Sequence, residues 1–412
     1  MDRTLVGIDV GTTKVCVVIG EIGADGRLRL VGVGQSPAGG MRKGMVANVD
    51  ECSQAIRAAV AQAERVSGYH VEHAYVGVTG EHIQSHNARG VVAITHGNRI
   101  INAADVQRAI ENAQANINVS PSREIVHLIP RAYRLDGQDG IREPVGMQAF
   151  RLEADVHIVT GATASLHNLV RAVERAGIQA HDLVLEPLAS AEAVLSPAER
   201  DMGVCLADIG GGTTDVAIFN EGAVVHTGVI AVAGHQFTND LAVVLRTPYD
   251  IAESIKCRYG HVLPEAVLEA EPVPTLSFDG GRDEKVPRRF VAEVLEARSY
   301  ELLRLIMEQI DRAGYADTLP AGVVLTGGTG QLEGLRDLGR YLLSMPVRVG
   351  APAPLDGLAD GVRGPAYSTS IGLLLWAMRY SNPEESSISD ARSGPDIISR
   401  FFGWVRRAFL PG

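Results

Sequence analysis

At 412 residues the chain exceeds what one hydrophobic core usually serves, so two or more domains are expected. Its 46% hydrophobic and 21% charged content, with 45 glycines, describe an ordinary globular protein rather than a disordered one. A formal net charge of -11, without any run of clustered Lys and Arg in the body, disfavours nonspecific nucleic-acid binding. Cys16, Cys52, Cys205 and Cys257 lie far apart with no C-x-x-C pair, so neither a zinc site nor a disulfide framework is expected, and a reducing cytosol fits. The chain opens into a strand-like run without a leader pattern, which argues against secretion, and no stretch reaches the roughly 18 apolar residues that a membrane span needs.

Three strand-like runs come first, at residues 4–10, 14–22 and 27–35, separated by glycine-containing turns at Gly11 and 23–26. They read as a meander. Asp50 then caps an Ala-rich amphipathic helix to about Ser67, and residues 74–78 form a buried strand, so the first lobe is α/β. Residues 83–160 change texture to alternating strands around one helix at 103–115, the mark of an inserted subdomain. The α/β pattern resumes with a helix at 164–176, a strand at 181–185 and a helix at 188–195. A second meander follows at 203–207, 214–220 and 223–232, repeating both the strand order and the Gly-Thr-Thr turn of the first. Helical segments at 234–259 and 287–313 bracket a Pro-rich, charged stretch at 264–285, read as loop and short strand. A strand at 322–325 and helices at 332–343 and 367–379 end the fold, and 381–396 reads as a flexible linker.

Each meander carries the same kind of turn. The first holds Asp9-Val10-Gly11-Thr12-Thr13-Lys14, and the second Asp208-Ile209-Gly210-Gly211-Gly212-Thr213-Thr214-Asp215. Glycines let backbone N–H groups approach phosphate oxygens, and threonine hydroxyls add donors in the same concavity. One such turn alone is ordinary turn chemistry, but two at repeat-equivalent positions make a phosphate clamp. Asp9, Asp208 and Asp215 would repel bare phosphate, so a divalent cation belongs between them, and magnesium suits such oxygen ligands. The run Thr326-Gly327-Gly328-Thr329-Gly330, between a strand and a helix, offers bare backbone to a base and ribose. Glu253 and Lys256 stand one helical turn apart, either to meet an adenosine or as a solvated ion pair. His82 and His86 lack a third ligand and read as surface residues. No Walker A, Gly-x-Ser-x-Gly or H-E-x-x-H pattern occurs.

Together these elements resemble the actin, sugar-kinase and heat-shock-chaperone superfamily, with its two phosphate loops, adenosine loop and two connecting segments, here 183–195 with Glu186-Pro187 and 367–377. Over nearly the whole chain the resemblance is to the bacterial FtsA cell-division family, carried by 207–219, 289–298, 319–328 and 365–375. Thr329 departs from the glycine more usual in that family. The resemblance implies a duplicated, actin-like (ribonuclease H-like) two-lobed α/β ATPase fold. Its first lobe core (1A) would be 1–82 and 161–196, its inserted 1C subdomain 83–160, its second lobe core (2A) 197–233 and 319–380, and its second lobe subdomain (2B) 234–318. It also implies ATP as ligand, with Gly234 in the adenosine site. Asp9, Glu186 and Asp208, with Asp215 beside them, would hold Mg2+ and its water shell. Asp208 or Glu186 would orient an attacking water, with hydrolysis at most weak, and whether Lys14 touches phosphate stays open. Implied partners are further copies in filaments, the C-terminal peptide of FtsZ through 234–318, and downstream division proteins through the insertion.

Beyond the linker, residues 397–410 form an amphipathic pattern. At 100° per residue, Ile397, Ile398, Phe401, Phe402, Trp404, Val405 and Phe409 share one arc of roughly 160°, with Arg400, Arg406 and Arg407 opposite or bordering it. Aromatics that enter the acyl boundary beside arginines that meet anionic headgroups describe an interfacial helix, and the family resemblance implies the same element. A core helix docking back on the body is the plainer reading, disfavoured by the long polar linker. The chain is thus expected at the cytoplasmic face of the inner membrane at the division site. Sugar kinase, chaperone ATPase and pilus-assembly actin-like protein are the competing readings, none with a use for this helix.

Overall fold

The computed structural model describes residues 3–268, 271–276, 283–357 and 361–380. Linker and terminal helix, 381–410, lie outside the described residues.

Both meanders form, and each seeds a sheet of the same order. In the first sheet, Arg3–Val10, Lys14–Ile22 and Leu28–Pro37 pair antiparallel, and His73–Val78 then Gln179–Leu185 add in parallel beside Arg3–Val10. In the second, Val204–Ile209, Thr214–Asn220 and Ala223–Ile230 pair antiparallel, and Val323–Thr326 then Val347–Val349 add in parallel beside Val204–Ile209. The central strands read as continuous apolar runs because helices cover both faces, as Val15 to Ile19 and Val204 to Ala207, all fully buried, show.

The first helix runs Val49–Ser67. Asn48, not Asp50, caps it, its side chain accepting from the amides of Asp50 at 3.0 Å and Glu51 at 3.3 Å. Asn48 holds the extended conformation a cap needs, which leaves Asp50 inside the first turn, where its charge suits the helix dipole. The helical stretch 234–259 is two helices, Gly234–Val244 and Tyr249–Tyr259, the second opening after Pro248, which brings no N–H and biases the residue before it away from helix. Within the Pro-rich stretch, Pro272–Leu276 and Asp283–Pro287 pair as antiparallel strands.

The insertion is a four-stranded sheet in the order Gln84–Ala93, Arg151–Ala162, Arg123–Leu135, Gln138–Ile141, with the helix Ala103–Ala115 on one face and its own core around Ile110, Tyr133 and Leu152. It docks on the second sheet. Ser85 Oγ donates to the Thr227 carbonyl at 2.7 Å, Asn87 Nδ2 to that of Val225 at 3.0 Å, and the fully buried His157 bonds Thr227 Oγ1 at 3.0 Å.

Two helices lie between the sheets. Glu186–Val194 touches both, through Val204–Ile209 and Thr214–Asn220 on one side and His73–Val78 and Gln179–Leu185 on the other, whereas Ser368–Tyr380, which chain order assigns to the second lobe, packs on Arg3–Val10, Lys14–Ile22 and His73–Val78. They cross at Gly372, where a Cβ would run into the Ala189 carbonyl, so backbone meets backbone. Gly372→Ala is expected to destabilise the fold by about 3 kcal/mol, because neither main chain can yield without disturbing a core; urea unfolding of the two proteins measures it.

Candidate functional site

The two Gly-Thr turns face each other across a cleft of about 920 Å³ between the lobes. Their approach is so close that a Cβ on Gly211 would run into Thr13 Oγ1, and one on Gly212 would lie 2.9 Å from Thr12 Cγ2. Gly11, Thr12, Thr13, Lys14, Gly210, Gly211, Gly212 and Thr213 all line the cleft. Thr214 does not. It is the first residue of a strand, so alternation turns it away from the face that Thr213 and Asp215 share, and its hydroxyl donates to the Val232 carbonyl at 2.7 Å. Lys14 reaches the lining with its Nζ 3.6 Å from the centre of the Tyr367 ring.

Four carboxyls gather on the floor. Asp9 and Asp208 sit at equivalent strand ends, Asp215 lies directly across the ladder from Asp208, and Glu186 opens the helix Glu186–Val194, where Pro187 is tolerated in the first turn. All four are buried. Burial pushes each carboxyl upward: Asp208 to about 6, Asp215 to about 7, Asp9 above its ordinary value, and Glu186 well above, the last further raised by Asp9, Asp215 and Asp208. Hydroxyls hold three of them. Ser370 Oγ donates to Asp9 at 2.9 Å, Ser190 Oγ and Thr369 Oγ1 (3.1 Å) to Asp208, and Thr79, from the other lobe, and Thr213 (3.2 Å) to Asp215. Glu186 accepts no hydrogen bond from a side chain or backbone among the described residues. Among those residues no three His, Cys, Asp or Glu side chains converge closely enough to ligate one ion directly. The donor set is hard oxygen whose charged forms are disfavoured by burial and by one another, with Lys14 the nearby cation; a magnesium ion held through its waters rather than in a direct cage fits it and would favour the ionised carboxylates.

The far end of the cleft is built from the second lobe. Gly234 N–H and Thr329 Oγ1 donate to the Gly210 carbonyl, at 3.0 and 2.9 Å, tying the second glycine turn to both neighbouring segments. Gly327 requires its left-handed φ of +82°, and a side chain there would run into Asp208 and the Ile209 carbonyl. Gly328 and Thr329 line the cleft beside it. Glu253 and Lys256 form an ion pair at 2.7 Å, but not a solvated one: Lys256 is 10% exposed and also donates to the Gly234 carbonyl at 3.1 Å and Thr238 Oγ1 at 2.8 Å. His82 is half-buried, with both ring nitrogens unpartnered among the described residues, and burial and then Arg123 lower its pKa to about 4, so it is no surface residue.

Sequence reading missed Thr79, Ser190, Thr369, Ser370 and His235. The first four are small hydroxyls on segments otherwise recognised, and only tertiary approach shows that they hold the carboxyls.

The FtsA cell-division family model matches residues 205–372, and the model of the SHS2 domain inserted in FtsA matches 80–160. The cell division protein FtsA of Pseudomonas aeruginosa is 42% identical over 99% of this chain and 98% of its own length. The chain belongs to the FtsA family. FtsA of Escherichia coli is 36% identical over 99% of both chains, and FtsA of Bacillus subtilis 38% identical over 91% of this chain and 83% of its own. Among solved structures, a PilM–PilN type IV pilus biogenesis complex is similar at TM-score 0.66 and 16% identity, covering 91% of this chain and 98% of that one. MreB5 of Spiroplasma citri bound to ADP is similar at TM-score 0.56 and 12% identity, over 91% and 96%. Those two likenesses establish the actin-like fold that this FtsA-family chain carries.

Proposed function

We propose that the chain is an FtsA-type division protein that binds ATP with Mg2+ in the cleft, assembles with further copies of itself, and links FtsZ polymers to the cytoplasmic membrane at the division site. The observation that carries the nucleotide reading is the pair of glycine turns facing each other over four buried carboxyls. A lone polyphosphate would be repelled by that floor, and a lone cation would leave the glycine turns without purpose. Asp9 and Asp208 are positioned by Ser370, Ser190 and Thr369 to hold the water shell of the ion, with Asp215 behind them. The bound ion would neutralise charge on the phosphates. Glu186, with its carboxylate uncommitted, is the better placed of the two candidates to orient an attacking water, since Asp208 is occupied by two hydroxyls. Calorimetry with ATP, with and without magnesium, tests the site, and the absence of magnesium-dependent heat would remove it.

The division role is carried by full-length similarity to FtsA proteins. We assign FtsZ-peptide binding to 234–318, contacts with downstream division proteins to 83–160, and membrane attachment to 397–410, with 1–82, 161–196, 197–233 and 319–380 as the two lobe cores. Retention of the chain by an immobilised FtsZ C-terminal peptide tests the partner, and a failure of binding at micromolar concentrations would count against it.

The carboxyl floor also predicts a pH dependence. Asp208 and Asp215 titrate near 6 and 7 in the fold and at 3.8 when unfolded. Their protonation therefore favours the folded state, a contribution fully present below about pH 4 and lost as pH rises through about 6 to 7. The melting temperature of the metal-free protein should fall relative to the magnesium-saturated protein across that window, and the gap between the two should widen as pH rises. Scanning calorimetry from about pH 5 to about pH 8 checks this, and a gap independent of pH would contradict it.

A further inference from the structure

His235 lines the cleft beside the second glycine turn. It is the second residue of the helix Gly234–Val244, and its backbone N–H donates to the Gly211 carbonyl at 2.7 Å. Its ring lies against the second phosphate turn, because a Cβ on Gly211 would stand 3.2 Å from both Cδ2 and Nε2. Nε2 also lies 3.3 Å from Thr13 Oγ1 in the first phosphate turn, 222 residues away in the chain. One imidazole thus touches both halves of the clamp. Tyr249 flanks it with ring centres 5.9 Å apart, which fixes the ring's direction. A side chain serving only to cap the helix would have no reason to reach the opposite lobe.

We propose that His235 is a polyphosphate contact bridging the two turns of the clamp, exchanging its bond to Thr13 for one to the bound phosphates. This inference rests on the reading of the cleft as a nucleotide site. Burial, with Lys256 nearby, lowers the pKa of the ring, so at neutral pH it acts as an uncharged N–H donor. It adds one side-chain donor to the backbone amides that the two turns offer. The contact is with phosphate and not with the adenosine, whose surroundings are the Glu253, Lys256 and Gly327 end of the cleft.

The test compares ATP, ADP and adenosine binding, with magnesium, to the full chain and to His235→Ala and His235→Gln by competition against a fluorescent nucleotide. His235→Ala should weaken ATP and ADP about tenfold, as loss of one hydrogen bond to a charged group does, speed nucleotide release, and leave adenosine unchanged. His235→Gln, whose amide N–H can reach the same place, should return ATP affinity to within about threefold. Equal weakening of all three ligands would make His235 a structural residue and overturn the proposal, as would no change in any. Failure of the unaltered chain to bind ATP would instead remove the nucleotide reading, and this inference with it.

Discussion

Gly212→Val is expected to lower the affinity for ATP and magnesium about a hundredfold or more while leaving the fold intact. The new Cβ would meet Thr12 of the opposite turn, with Cγ2 at 2.9 Å, and valine adds two further methyl carbons to that crowding. Either Thr12 swings into the space that phosphate needs, or the lobes separate. In both cases the amides of one turn withdraw from the ligand. Loss of two hydrogen bonds to a charged group, at about 1.5 kcal/mol or more each, gives that factor. Stability is spared because Gly212 lies at the tip of a turn, outside either sheet. The contrast is Thr214→Val two residues on, whose hydroxyl bonds the Val232 carbonyl away from the cleft; its nucleotide affinity should stay within about threefold. Titration calorimetry on the two variants, with melting curves as control, separates them. Similar affinities for both would mean that the turns do not grip the ligand.

The contrast between these neighbours also marks how far the site could be read from the chain. Both turns, the two meanders and three of the four floor carboxyls follow from local pattern, because a Gly-rich turn between apolar strands has few other conformations. Glu186 came only with the family resemblance, since a carboxylate opening a helix is ordinary helix chemistry. Thr214 was misplaced, although strand alternation starting at that residue is enough to turn it outward. Ser190, Thr369, Ser370 and His235 were beyond reach for a different reason. Ser370 meets Asp9 across 361 positions and His235 meets Thr13 across 222, so no periodicity of either segment encodes the meeting. The crossing of the two interlobe helices belongs to the same class. Apolar patterning identifies Ser368–Tyr380 as a buried helix, but the close passage against Ala189 that Gly372 permits joins segments far apart in the chain.

Removal of residues 394–412 should abolish cosedimentation with anionic liposomes and leave nucleotide binding unchanged. The described fold is well packed up to its last helix: Trp376 packs 4.3 Å from Tyr380 and 5.4 Å from His127, centre to centre, and Arg379 bonds Glu192 at 3.1 Å. No helix among the described residues is long and apolar enough to cross a membrane, so attachment by a span within them is not available. The terminal pattern offers an alternative with separable parts. Replacing Arg400, Arg406 and Arg407 with glutamine should cost about 1 kcal/mol each, roughly a hundredfold in all, and the remaining binding should lose its dependence on both anionic lipid and salt. Replacing Phe401, Phe402 and Trp404 with serine should instead abolish binding at every salt concentration, because the arginines alone contribute too little once screened. A helix that docked back on the body would behave otherwise, since its loss would lower the melting temperature and expose apolar surface. If the truncated chain still cosediments, the membrane contact lies on the folded lobes and the terminal helix has another partner.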